Sequence, residues 1–394
     1  MGDSRYHRVS RKRPCLICGK PDWCSRTADD SISFCARVTA GADRFSRKER
    51  WGVFYHDRSL LDNSIWKKNE PRQFFTKQTE EILPAPLEVR DFIYASLLRL
   101  SPASNHDCLT TEQKGLRTRG LENYEDYGAL PCSASDRKDL AAQMRLLLNQ
   151  NFPSFVRENP HGLAHIPGFW VNDSGEPCLW FEKDYSRPML LIPYRNPWGK
   201  IQSCQIRFSG SINRGQKRYL WLSLPSMQSA GSGTPIHYAN WKDFGAACSN
   251  RPVLITEGAL KADVVAKFCP HFLIVANSGV GCAHEIIARI TRGKKVSLAF
   301  DNDYNENPAV IRQLAKLIFL ISELDDSKVS VKNTAILIWE QSYKGIDDAL
   351  LNAAKIFEVS LAEWICNLTT ENRKIIEQTF LETLKSLDHL HQLY

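Results

Sequence analysis

From residue 252 onward, four short and continuously apolar runs, 253–256, 272–276, 296–300 and 335–339, alternate with stretches of helical spacing. Strands that are apolar at successive rather than alternate positions need cover on both faces, which a parallel sheet wrapped by helices provides. The pattern therefore predicts an α/β unit over 251–357. In such sheets ligands sit beyond the carboxyl ends of the strands. Three of these runs are followed by acids: Glu257 in "VLITEGALKADVVA", Asp301 and Asp303 in "VSLAFDNDYN", and Asp347 and Asp348 at the start of the next helix in "AILIWEQSYKGIDDAL". If the three strands are neighbours, right-handed crossovers bring all these acids to one edge. Crowded carboxylates raise one another's pKa, a cost that a divalent cation relieves, and hard oxygen donors favour magnesium or manganese over zinc. Simpler roles stand beside this one: Asp347 as a helix cap, Asp303 as a turn acid. Glu257, between an apolar strand and Gly258, has the least structural purpose.

The amino terminus has a different constraint. Residues 1–57 read as a zinc-binding module: the segment "CLICGKPDWCSRTADDSISFCARVTAGADRF" is too small to fold around an apolar core, yet it carries Cys15, Cys18, Cys24 and Cys35. Four thiolates hold a tetrahedral zinc ion, and a Cys-x2-Cys pair followed by glycine is a common way to present the first two. Cys24 and Cys35 have ten residues between them instead of forming a second tight pair, which leaves His7 or His56 as a replacement for one of them. The remaining cysteines, Cys108, Cys132, Cys178, Cys204, Cys248, Cys269, Cys282 and Cys366, are scattered, as in a protein of a reducing compartment.

Between these ends, residues 58–84 have no steady period and read as a linker. Residues 85–152 have helical spacing, with Val89, Phe92, Ile93, Leu97 and Leu100 three or four apart. Residues 153–250 are β-rich: "LLIPYRNPWGKIQSCQIRF" reads as strand, turn and strand, and "KRYLWLSL" as a third strand beyond the basic loop 210–217. The tail, 358–394, is helical and packs on its own domain or docks a partner such as a helicase. The whole is a multidomain α+β chain with an α/β core. Its net charge of +7 is modest, but Arg and Lys crowd the amino terminus and the stretch around 207–218, where aromatics are interleaved, a mixture suited to nucleic acid. No run approaches a membrane span, the first residues lack a secretory core, and no G-x-x-x-x-G-K-[ST] loop occurs, which argues against an attached helicase motor.

The acidic motifs in this order resemble the Toprim domain of bacterial-type primases, topoisomerases and some nucleases. "EGALKADV", "FDNDYN" and "WEQSYKGIDDAL", with "HIPGFW", "YLWLSL", "GTPIHYA" and the "CLICGKPDWC" finger, are most similar to primase-like Toprim proteins of phages and mobile elements, over most of residues 10–355. The resemblance implies template-directed primer synthesis on single-stranded DNA from nucleoside triphosphates, in the cytoplasm of a bacterial cell or phage-infected host, beside a separate replicative helicase. It implies catalytic roles for Glu257, Asp301 and Asp303, and magnesium or manganese held by these with Asp347 or Asp348. Zinc would be structural. Arg207, Lys217 and Arg218 would face template or nucleotide, with Tyr219 or Trp221 stacking a base or lying in the core. Arg37, Arg44 and Lys48 of the zinc module would meet phosphates. Lys261 departs from the pattern: many relatives have an acid there, and a lysine pairs with the cluster or with a phosphate. A metal-dependent nuclease and a non-catalytic single-stranded DNA-binding protein are the alternatives.

Overall fold

The computed structural model describes residues 6–38, 42, 44–45, 51–56, 82–112, 115–209, 218–243, 251–302, 307–323 and 333–391. Asp303, Lys217, Lys48, most of the expected linker and the basic loop 210–217 lie outside these residues. The chain divides into two compact units, Met1–Glu81 and Ile82–Tyr394.

In the first unit, β1 (Tyr6–Arg8), β2 (Ser25–Thr27), β3 (Ile32–Cys35), β4 (Arg44–Phe45) and β5 (Gly52–Tyr55) form one antiparallel sheet in the order β1-β2-β3-β5-β4. Its buried centre is small: Val9, Cys15, Cys24 and Cys35, with Ile17, Val38 and Phe54 packed around them. Thiols occupy the place of a hydrophobic core.

The second unit contains two larger sheets. Helix α1 (Leu87–Leu100) is followed by the short α2 (Asp107–Thr110) and by β6 (Gly128–Leu130). Next come α3 (Ala134–Asn151), the short α4 (Pro153–Glu158), and the small hairpin of β7 (Phe169–Val171) and β8 (Pro177–Leu179). The long hairpin β9 (Met189–Arg195) and β10 (Ile201–Arg207) then pairs with β11 (Tyr219–Trp221). The first sheet has the order β11-β10-β9-β6 and is antiparallel throughout. The stretch expected to be purely helical thus contributes the strand β6. Burying Val89, Ile93 and Leu97 of α1 and Ala141, Met144 and Leu148 of α3 with Leu191, Cys204 and Ile206 makes helices and sheet a single layered core.

The second sheet, β12-β14-β13-β15-β16-β17, is built on the four apolar runs. They stand as β13 (Val253–Glu257), β14 (Leu273–Asn277), β15 (Val296–Ala299) and β16 (Thr334–Ile338), all parallel. Both outer strands, β12 (His237–Tyr238) and β17 (Phe357–Ser360), run antiparallel, so the sheet is mixed rather than wholly parallel. Helix α5 (Ala259–Phe268) follows β13, α6 (His284–Ile290) follows β14, α7 (Pro308–Glu323) follows β15, and α8 (Ile346–Leu351) follows β16. One face of the sheet packs on α6, α7 and the closing helices α9 (Leu361–Asn367) and α10 (Thr370–His391); the other packs on α5 and α8. The tail therefore packs against its own unit, with Ile376 buried and the Phe380 ring 5.5 Å from that of Phe319 on α7.

Helix α5 also joins the two sheets. Ala259, Leu260 and Val264 share a core with Ala129 of β6 and with Leu190, Ile192 and Tyr194 of β9. The helix that begins two residues after Glu257 is thus wedged between the first sheet and the acidic edge of the second. No helix among the described residues is long and apolar enough to cross a membrane.

Candidate metal centres and nucleic-acid interface

The four cysteines of the first unit come together. Cys15 and Cys18 flank a turn closed by the Gly19 N–H on the Cys15 carbonyl at 2.9 Å, with Gly19 at φ +67°, where a glycine avoids the Cβ clash. Cys24 immediately precedes β2, and Cys35 ends β3. One ligand atom from each lies within 4.8 Å of every other. The Cys18–Cys24 and Cys24–Cys35 sulfur distances are 3.7 and 3.8 Å. A tetrahedron with Zn–S bonds of about 2.3 Å has edges of about 3.8 Å, so the donor set fits zinc in type and size. Backbone N–H groups of Ala36 and Val38 point at the Cys24 and Cys35 sulfurs at 3.4 and 3.2 Å, as they do to stabilise thiolates. Burial pushes the Cys24 thiol up to about 12 despite the Ala36 N–H, the cost that a bound cation removes. Neither histidine is needed: the His56 Nε2 is 2.8 Å from the Ser33 hydroxyl, and His7 is exposed on β1. Arg37 is paired with Asp22 at 2.9 Å beside this cluster.

The acids assemble at the carboxyl edge of the second sheet. Glu257 is the last residue of β13, which passes into α5 through Gly258 at φ +86°. Asp301 lies two residues past β15, and Asp347 is in the first turn of α8. Gly345, not Asp347, is the cap of that helix, and it makes no side-chain cap bond. Asp347 is buried, and its Oδ2 accepts from the Arg119 guanidinium at 3.3 Å; Asp348 is exposed. Among the described residues these acids do not form a group close enough to share one ion as the cysteines do. What stands among them is Lys261.

Lys261, one turn into α5, donates to Asp301 Oδ1, while Asp301 Oδ2 is 3.6 Å from the exposed Lys344 ammonium. Burial alone would lower the Lys261 pKa, but Asp301, Asp347 and Glu257 outweigh it and hold the ammonium above its ordinary value. Burial, opposed by Lys261 and Arg119 and reinforced by Asp348, holds the Asp347 carboxyl above the usual carboxylate range. Of the two roles open to Lys261, pairing with the cluster is the one seen.

The basic residues divide by burial. Arg207, at the end of β10, is only 4 % exposed. Burial lowers its pKa, with Tyr219 opposing and Arg119 and Arg218 reinforcing, so these four side chains form one electrostatic group. Tyr219 and Trp221 are half-buried and pack against the core shared with α5, and the Trp221 ring centroid is 4.6 Å from that of Tyr194. Two neighbours of the edge escaped the sequence reading. Arg119 lies in "GLRTRGL", where the two arginines flanking Thr118 were the available signal. Asn277 ends β14 in register with Glu257, fully buried, with its Oδ1 lacking a hydrogen-bond partner. An orphaned acceptor beside a carboxylate at a strand end is a second sign of a bound group. The donor set is oxygen-rich and partly buried, which fits magnesium or manganese.

No family model matches the sequence, and no curated protein does. Among solved structures the chain is similar to the Aquifex aeolicus primase zinc-binding and RNA polymerase domains, at 12% identity over 76% of this chain and 69% of that one, TM-score 0.45. It is similar to the E. coli primase catalytic core at 15% identity over 68% and 76%, TM-score 0.44. The RNA polymerase domain of the Mycobacterium tuberculosis primase gives 14% over 67% and 78%, TM-score 0.42. At these values the likeness carries no residue-by-residue correspondence.

Proposed function

We propose that the chain is a primase-like nucleotidyltransferase of the phage or mobile-element Toprim type, which joins nucleoside triphosphates into short primers on single-stranded DNA. The observation that carries the reading is the approach of Asp301 and Asp347, from two different strand ends, to one buried cation beside the Arg119, Arg207 and Arg218 group. Opposite charges held next to each other, each partly shielded from water, suit a reaction between a negatively charged strand and a triphosphate.

Glu257, Asp301 and Asp303 would hold magnesium or manganese, with Asp347 or Asp348 extending the set. Bound there, such an ion would lower the pKa of the attacking 3′-hydroxyl and neutralise charge on the triphosphate. Glu257 would orient that hydroxyl or receive its proton. Arg218, and Lys217 beside it in sequence, would track phosphates of template or nucleotide. The zinc-binding unit would contact the template and influence where synthesis starts, with Arg37 and Arg44 against phosphates. A separate replicative helicase would open the duplex, in a bacterial or phage-infected cytoplasm.

The test is incorporation of labelled ribo- and deoxyribonucleotides on single-stranded templates with magnesium or manganese. Wild type should extend only when template is present, and Asp301→Asn and Glu257→Gln should each lower the rate by at least about 100-fold, the scale expected when charge stabilisation is removed. Template-independent loss of the DNA itself would point to a nuclease. Unaltered DNA binding with no turnover under any condition would sink the enzymatic reading.

A further inference from the structure

Lys261 is the least expected group at the acidic edge, because a buried ammonium occupies ground that a cation-binding site would keep for its ion. Its side chain is 13 % exposed and that of its partner Asp301 16 %. The N-cap of α8, Gly345, lies against it. A Cβ built on Gly345 would lie 3.0 Å from both Cε and Nζ of Lys261 and closer still to Oδ1 of Asp347. Backbone, ammonium and two carboxylates are therefore packed together without room for a methyl group. Two-metal sites hold their ions about 3.5–4 Å apart between shared carboxylates. An ion placed on Asp301 Oδ1 would have to displace the ammonium, and a second ion beside it would be repelled by a charge that the surrounding water barely screens.

We propose that Lys261 is a tethered counter-cation that takes the place of one metal ion at this edge, so that the site binds a single divalent cation and not a pair. This rests on the reading of the edge as a metal site. The ammonium fixes the position of Asp301 and, through Gly345, the start of α8, and it leaves the remaining oxygens for one ion. Lys261 is thus a positioning residue, and the number of metal ions is its signature.

The experiment is a titration of the full chain, zinc-loaded so that the cysteines are saturated, with Mn²⁺ followed by electron paramagnetic resonance of the free ion. Wild type should bind one Mn²⁺, and Lys261→Asp should bind two. Because the aspartate variant is the one at risk of misfolding, Lys261→Met is measured beside it. Removing the repelling charge should tighten the single site at least fivefold, in a protein whose circular dichroism matches wild type. Two ions in the wild type, or a methionine variant with unchanged or weaker affinity, overturns the inference. If the wild type binds no Mn²⁺ that Asp301→Asn removes, the reading of the edge as a metal site fails with it; if Asp301→Asn removes binding but the wild type takes two ions, only the role of Lys261 fails.

Discussion

Tyr127, Asp263 and His237 form a hydrogen-bonded chain that ties α5 to both sheets. The backbone N–H of Arg195 donates to His237 Nδ1 at 3.1 Å, and His237 Nε2 is 2.8 Å from Asp263 Oδ1. The other Asp263 oxygen accepts from the Tyr127 hydroxyl at 2.7 Å. His237 thus links the backbone of β9 to the Asp263 carboxylate on α5. Asp263 is two residues from Lys261, so this chain fixes the turn of helix that carries the ammonium. Tyr127→Phe should cost about 1–3 kcal/mol, because the phenol is buried and the carboxylate loses a donor; a urea midpoint unchanged from wild type would show that the bond carries no stability. Gly345→Ala should cost a similar amount, about 1–3 kcal/mol, by overpacking alone, since Gly345 lies at φ −113°, which alanine adopts freely. Thermal unfolding reads it, and an unshifted midpoint would mean that Lys261 and Asp347 move aside without cost. At this scale the sequence was legible where chemistry is local. Glu257 and Asp301 stand out because apolar strands end on them. Arg119, Asn277 and the inward turn of Lys261 do not, because each acquires its meaning from a partner more than 15 residues away, Asp347, Glu257 and Asp301 respectively.

Among elements, legibility followed the length of the hydrophobic signal. The four apolar runs stand as strands within a residue or two of the spans read from sequence, and the hairpin 189–207 is continuous on either side of its Asn-Pro-Trp-Gly turn. Strands β12 and β17 were not legible: one has two residues, and the other, "FEVS", buries a single side chain, so neither gives a period. Strand β6 lay hidden in a helical context because its pairing partner β9 is some sixty residues away. The closing helix tests whether the tail is part of the fold. Ile376 is buried against the second sheet's core while Leu381 is 61 % exposed on the same helix. Ile376→Ala should therefore lower stability by about 2–4 kcal/mol, and Leu381→Ala should leave it within about 0.5 kcal/mol. Equal effects in thermal unfolding would contradict the packing of α10 on α7.

The whole molecule joins two units whose cohesion has different origins. The larger buries extended apolar cores on both faces of its second sheet, as the alternation of strand and helix required. The smaller has three cysteines and one valine at its buried centre, so its stability should be that of its metal. Unfolding followed by calorimetry should therefore show two transitions in zinc-loaded protein. A strong chelator should abolish the one that belongs to Met1–Glu81 and release one zinc per chain, while the transition of Ile82–Tyr394 keeps its midpoint within a degree or two. Acid should act in the same direction as the chelator, because protons compete with zinc for the thiolates. Cys24→Ala should behave as chelated protein from the start, since it removes the thiol that lies within 4 Å of both Cys18 and Cys35. A smaller unit that kept its transition without zinc would mean that Val9, Ile17, Val38 and Phe54 suffice to hold the sheet, and the four cysteines would then need another explanation.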